Sequence, residues 1–272
     1  MNIRVRGISY FIKRHQEKPA LPELVLLHGF MGSGELFQEL IDSLLSFSNP
    51  ITIDLLGHGK TEGAELHYRF SSKEQVADLS KLIAEQISKP VFLYGYSMGA
   101  RLALQLALHR LDLVQGLILE SGTFGIEGET EQQARQALDA SRADQIIGNF
   151  DGFLDDWATK PLFQSSASIS ELDKVSMIQK KQNNIWMANA LLGFGTGTMP
   201  CVREELKNLV SPVQLIVGEQ DSKFIRINQT MNKEIPDSTL SIVEGANHRV
   251  HSDQPEECAK IIKFFITNHN LL

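Results

Sequence analysis

The chain has 272 residues, 42% hydrophobic and 22% charged, with a formal net charge of -7 and a pI near 5.6. That length can bury a sizeable core, in one large domain with an insertion or in two small domains. The composition excludes collagen-like, disordered and disulfide-rich classes. No stretch concentrates Lys and Arg as a phosphate-tracking surface requires, so no nucleic-acid partner is expected.

Arg4, Arg6, Lys13 and Arg14 interrupt the short apolar pieces of the N-terminus, which removes the hydrophobic run of a signal peptide. No later segment offers about 18 consecutive apolar residues, so no membrane partner is expected and the expected location is cytoplasmic. Cys201 and Cys258 form no metal or redox spacing and read as packing residues in a reducing compartment. No cofactor and no metal are expected, and a monomer is the default.

In chain order, residues 8–13, 24–28, 51–54, 91–94 and 113–120 read as strands alternating with helical patterns, the grammar of βα units. Residues 72–87 read as a helix, with Val76, Leu79, Leu82, Ile83 and Ile87 at helical spacing, Ser72 as N-cap and Pro90 past its end. The uniformly apolar Val91-Phe92-Leu93-Tyr94 suits a parallel strand covered on both faces. From 125 to 199 the pattern turns helical, over 129–147, 150–160 and 171–192, with no credible strand. The βα grammar then resumes with a strand at 212–218, a helix at 224–235, a strand at 239–243 and a helix at 255–266. The expected architecture is an α/β core formed by 1–124 and 200–272, with a mostly parallel sheet, helices on both faces, and a helical cap (lid) inserted at 125–199.

Gly95-Tyr96-Ser97-Met98-Gly99, between a buried strand and a helix, matches the nucleophile elbow, in which small residues permit a strained turn that lifts the serine hydroxyl above the sheet. A serine nucleophile needs a base, and the base needs an orienting acid. Asp221 and His248 follow in the chain order of this fold, each just past a strand, where open α/β sheets place their crevice. Glu120 and Glu219 compete for the acid role, and His251 competes with the favoured His248. His28 and His58 sit in glycine turns and read as structural. Leu27-His28-Gly29-Phe30 resembles an oxyanion-hole loop, whose donors would be the backbone amides of Phe30 and Met98. Arg101 falls one turn above Ser97 on the same helix face. A guanidinium there calls for a carboxylate, supplied by an anionic substrate or by a protein group such as Asp139.

Together these residues resemble the α/β-hydrolase superfamily, from Leu24 to Leu271. Within it, Gly95 to Arg101, Leu27 to Phe30 and Gly218-Glu219-Gln220-Asp221-Ser222-Lys223-Phe224 look like the MenH-like 2-succinyl-6-hydroxy-2,4-cyclohexadiene-1-carboxylate (SHCHC) synthases of menaquinone or phylloquinone biosynthesis. Ala134 to Asp139, Asp156 to Phe163 and Gly195-Thr196-Gly197 resemble that family's lid. The resemblance implies a carbon–oxygen lyase that abstracts a ring proton and eliminates pyruvate from a small polycarboxylate substrate. It implies Ser97, His248 and Asp221 as the base system, and Arg101 and Arg135 on carboxylates. Tyr96 and Trp157 would line the pocket, and Lys223 would join the cations. Two departures stand out: the family's usual glycine before the histidine is Asn247, and a cap arginine expected near Gln179 is absent beside Lys180 and Lys181. Either lysine replaces it, or the contact is lost. The alternative activity is a serine hydrolase, an esterase or carbon–carbon-bond hydrolase, acting on a small anionic substrate through the same triad. A catalytically silent binding protein is a third reading.

Overall fold

Strands β1 (Asn2–Val5) and β2 (Ile8–Arg14) form a hairpin, and β2 pairs antiparallel with β4 (Asn49–Ile53). The sheet then runs parallel through β3 (Glu23–Leu27), β5 (Val91–Tyr96), β6 (Val114–Glu120), β7 (Val213–Gly218) and β8 (Ser238–Val243). Its order, β1-β2-β4-β3-β5-β6-β7-β8, puts β5 at the centre of the parallel part. The computed structural model describes residues 1–87, 90–164 and 167–270. Residues 165 and 166 of the expected cap, and 88, 89, 271 and 272 of the expected core, lie outside the described residues.

Successive strand side chains face opposite sides, so β3 divides its apolar residues between two cores. Val25 and Leu27 join the cluster covered by α2 (Ser72–Gln86) and α3 (Met98–His109). Leu24 and Leu26 join the one covered by α1 (Gln38–Leu44) and α10 (Pro255–His269). Burial on both faces explains why these strands carry no polar alternation.

The strands described all fall within 1–124 and 200–270. Between β6 and β7 come four helices, α4 (Glu129–Gly148), α5 (Phe150–Ala158), α6 (Ile169–Lys180) and α7 (Asn184–Phe194). Ala143, Ile146, Phe153, Leu154, Met187 and Leu191 form an apolar cluster shared by α4, α5 and α7, which Met31 enters from the loop after β3, while Val175 and Ile178 of α6 pack with Leu36. The remaining helices are α8 (Ser222–Glu234) after β7 and the single-turn α9 (Val250–Asp253) after β8. Among the described residues no helix is long and apolar enough to cross a membrane.

Three local expectations need correction. The helix expected over 171–192 is two helices, because Asn183 stops it: its side chain accepts the Trp186 N–H at 3.1 Å and caps α7. Ser72 is the first residue of α2 rather than its N-cap; Ser71 precedes it and makes no side-chain cap bond. Strand β1 was not expected at all.

Candidate active site

The chain leaves β5 at Tyr96 and enters α3 at Met98, so Ser97 alone makes the turn, with φ 50° and ψ -104°. That left-handed backbone is strained for a residue with a Cβ and persists only where the surroundings enforce it. The flanking glycines show how: a Cβ on Gly99 would lie 2.1 Å from the Leu27 carbonyl oxygen, and one on Gly95 2.5 Å from that of Gly99. The motif spacing thus records two backbone contacts that no side chain fits.

His248, after β8, accepts from or donates to Ser97 Oγ through Nε2 at 3.0 Å, and its Nδ1 lies 2.6 Å from Asp221 Oδ2, after β7. With Nδ1–H donated to the carboxylate, Nε2 is left as the acceptor for the serine proton. Asp221 also accepts the Phe224 N–H through Oδ1 at 3.3 Å, so both oxygens are engaged. His248 and Asp221 are both buried.

The competitors are placed elsewhere. His251 Nδ1 lies 2.8 and 3.0 Å from the oxygens of Glu120, which also accepts from the Tyr94 hydroxyl, forming a separate buried cluster. Glu219 is exposed and accepts the Gly245 N–H at 3.2 Å. His28 bonds the Gly29 carbonyl and the Leu55 N–H, and His58 the Leu56 carbonyl. Burial pushes His28 down to about 4; burial, with His28 alongside, pushes His58 down to about 3, so both are neutral.

A cavity of about 320 Å³ opens over Ser97 and His248. Phe30, Tyr96, Met98 and Trp157 line it. Met98 begins α3, so its N–H has no acceptor within the helix, and the N–H of Phe30 has no partner among the described residues. Burial raises the Tyr96 phenol to about 12 and keeps it neutral. The lining also includes Arg101, Arg135, Arg142, Lys160, Lys223 and Arg249, and no carboxylate among the described residues. Burial, then the nearby Arg135, pushes the Arg101 guanidinium down to about 9. Burial and the same arginine lower Arg142 and Lys223.

Asp139 is near enough to act on Arg101 through its charge but makes no ion pair with it. Both its oxygens meet Arg135 Nε at 2.9 Å, and Arg142 approaches at 3.5 Å. Arg101 instead donates to the Phe194 carbonyl at 2.7 Å, contacts Met199 Sδ at 3.4 Å and lies over the Phe194 ring. Gln179 lines the cavity, whereas Lys180 lines an adjoining hollow and Lys181 is an exposed residue that lines neither. Neither lysine therefore takes the place of a cap arginine in the main cavity. Sequence reading missed Arg142, 5.2 Å above the Trp157 ring. Its signal was the spacing Arg135-Asp139-Arg142, which puts all three on one helix face.

A strained serine turn, a histidine and an aspartate at successive strand ends and a cavity above them define an α/β-hydrolase-type enzyme site. The alpha/beta hydrolase family model matches residues 24–261, and the chain belongs to that family. It is 37% identical, over 98% of both chains, to the putative 2-succinyl-6-hydroxy-2,4-cyclohexadiene-1-carboxylate synthase of Bacillus subtilis (strain 168). It is 30% identical to the 2-succinyl-6-hydroxy-2,4-cyclohexadiene-1-carboxylate synthase of Citrobacter koseri, over 88% of this chain and 91% of the other. Among solved structures, MenH from S. aureus superposes with a TM-score of 0.90 at 30% identity, covering 96% of this chain and 98% of that one.

Proposed function

We propose that the chain is an SHCHC synthase, a lyase that eliminates pyruvate from a polycarboxylate enolpyruvyl precursor in menaquinone or phylloquinone biosynthesis. The reading is supported by the relatives' shared activity and, within this chain, by one observation: a cluster of cations, with Arg101, Arg135 and Arg142 half-buried, lines the cavity above a formed Ser97–His248–Asp221 chain, with no carboxylate in the lining among the described residues. Asp139 offsets only part of the charge of Arg135 and Arg142 and makes no ion pair with Arg101, so a neutral ester would leave a net positive wall, whereas a multiply charged substrate neutralises it.

In this mechanism the helical segment 125–199 acts as a cap over the core. Arg101 and Arg135 hold substrate carboxylates, Lys223 and Arg142 add positive potential, and Trp157 and Tyr96 frame the ring. Ser97 passes its proton to His248 Nε2, and Asp221 balances the imidazolium. The serine oxygen takes the ring proton, and the bond pair left on carbon becomes a dienolate. The amides of Phe30 and Met98 hold its oxygen; one preorganised donor of this kind is worth about 3 kcal/mol. Collapse of the dienolate breaks the carbon–oxygen bond and expels the enolate of pyruvate, which takes the abstracted proton from the serine hydroxyl and becomes pyruvate, and the His248 imidazolium returns its proton to the serine oxygen. The test is pyruvate formation by purified protein given the enolpyruvyl precursor, beside turnover of a generic aryl ester. Ester turnover without pyruvate release favours the serine-hydrolase alternative, which the 3.0 Å Ser97–His248 bond would also serve.

A further inference from the structure

Three consecutive residues, 247 to 249, all reach the segment 161–164 between α5 and α6, and the middle one is His248. Asn247 Nδ2 donates to the carbonyls of Pro161 at 3.1 Å and Gln164 at 2.8 Å. The Arg249 guanidinium lies 4.8 Å over the Phe163 ring, and that ring meets the His248 imidazole edge-on at 6.2 Å. Phe163 in turn packs on Trp157 at 5.2 Å, and both line the cavity. The core end of this contact is fixed independently, because the Asn247 N–H donates to Asp253 Oδ2 at 2.8 Å and His248 is held by Asp221.

Left-handed backbone occurs among the described non-glycine residues at Arg6, Met31, Ser97 and Ser121, not at Asn247. Residue 247 thus needs no glycine, and its side chain is free to act. It is 7% exposed, with its amide directed at the two carbonyls rather than at water.

We propose that Asn247 and Arg249 are positioning residues that seat the 161–164 segment as a wall of the cavity beside the triad histidine. This deepens the proposed function and rests on it only for the kinetic arm of its test. A side-chain bond to a neutral carbonyl contributes modestly, so losing both shifts the seated-to-unseated equilibrium about 10- to 30-fold. A cation over the Phe163 ring adds to the same seat. His248 keeps its own partners when the segment lifts.

The experiment compares the full chain with N247A, with N247D, which replaces a donor by a charge facing two carbonyls, and with R249L. Hydrogen exchange is followed at the Phe163 and Gln164 amides, which bond the Lys160 and Pro161 carbonyls. Exchange should rise at least about tenfold in N247A and further in N247D, with the Tm changed by under about 3 °C. R249L should move in the same direction by less. Pyruvate release should lose about tenfold in kcat/KM, while fluorophosphonate labelling of Ser97 stays within about twofold of the unmodified chain. Unchanged exchange overturns the proposal. So does a collapse of labelling in N247A, which would mean that Asn247 shapes the histidine loop rather than the segment above it. If the unmodified chain releases no pyruvate, the proposed function fails while the exchange measurement still decides the role of Asn247.

Discussion

Arg101 offers the sharpest separation between a residue kept for the fold and one kept for its ligand. It is a half-buried cation whose contacts are a carbonyl, a thioether and an aromatic face, with no carboxylate in ion-pair contact with it among the described residues. Such a charge costs the free protein desolvation energy that only a ligand carboxylate returns in full. Arg101→Met keeps the length and apolar stem and removes the charge. The carbonyl of Phe194 then loses its donor, at about 1 kcal/mol, against roughly 1–3 kcal/mol regained by not burying a cation. The expected Tm is therefore unchanged or raised by up to about 4 °C in differential scanning fluorimetry. Losing a desolvated carboxylate contact costs about 2–5 kcal/mol, so pyruvate-release kcat/KM should fall about 10²- to 10³-fold, with Arg101→Lys recovering part. A Tm that drops by more than about 4 °C, with kcat/KM altered less than tenfold, would refute this reasoning and make Arg101 a structural residue.

Ser97→Ala and His248→Ala should each lower pyruvate release by orders of magnitude, and the double variant little further, because the pair acts as a unit. His251→Ala should do the reverse: it strands the buried Glu120 carboxylate, costs about 3 kcal/mol and lowers the Tm by roughly 10 °C, yet leaves most turnover in the folded fraction. Arg142→Ala should reduce kcat/KM about 10- to 100-fold, with partial recovery when Gln179→Arg is added, since both positions line the cavity; no recovery would separate Arg142 from substrate. Stability should fall as pH drops from about 6.5 toward 4, because His28 and His58 stay neutral in the fold at pH values where the unfolded chain protonates them. Urea titrations across that range should show the slope, and His28→Gln should flatten part of it.

The parallel strands were legible because a strand buried on both faces reads as an unbroken apolar run, as β5 and residues 24–27 of β3 do. Strand β1 was not legible for the converse reason. It is an edge strand of only four residues, with Asn2 and Arg4 exposed, Ile3 half-buried and Val5 buried, and an alternation of two apolar residues is too short to stand out as a strand. Its hairpin turn is Arg6-Gly7, both with positive φ, and only the glycine signals that geometry. Arg6 is held there by Glu74 and Asp78 of α2, partners 68 and 72 residues away that no local reading could supply.

The candidate site divides along the same line. Ser97, Asp221 and His248 were legible because the fold fixes where strand ends go, so three positions distant in sequence became neighbours once the strands were named. The cation set was only half legible, because a helix pattern gives a face but not what that face meets. Arg135 and Arg142 lie on one face of α4 with Asp139 between them, as spacing requires. What spacing leaves open is that one carboxylate serves two guanidinium groups, that Arg101 receives none, and that Gln179 lines the cavity while Lys180 and Lys181 do not. Composition pointed away from all of this. A chain with net charge -7 reads as repelling anions, yet the potential that selects a ligand is that of the cavity wall, where cations outnumber the single carboxylate of Asp139 behind them and no carboxylate lines the cavity among the described residues. Net charge governs how the molecule meets solvent; the handful of side chains turned inward governs what it binds.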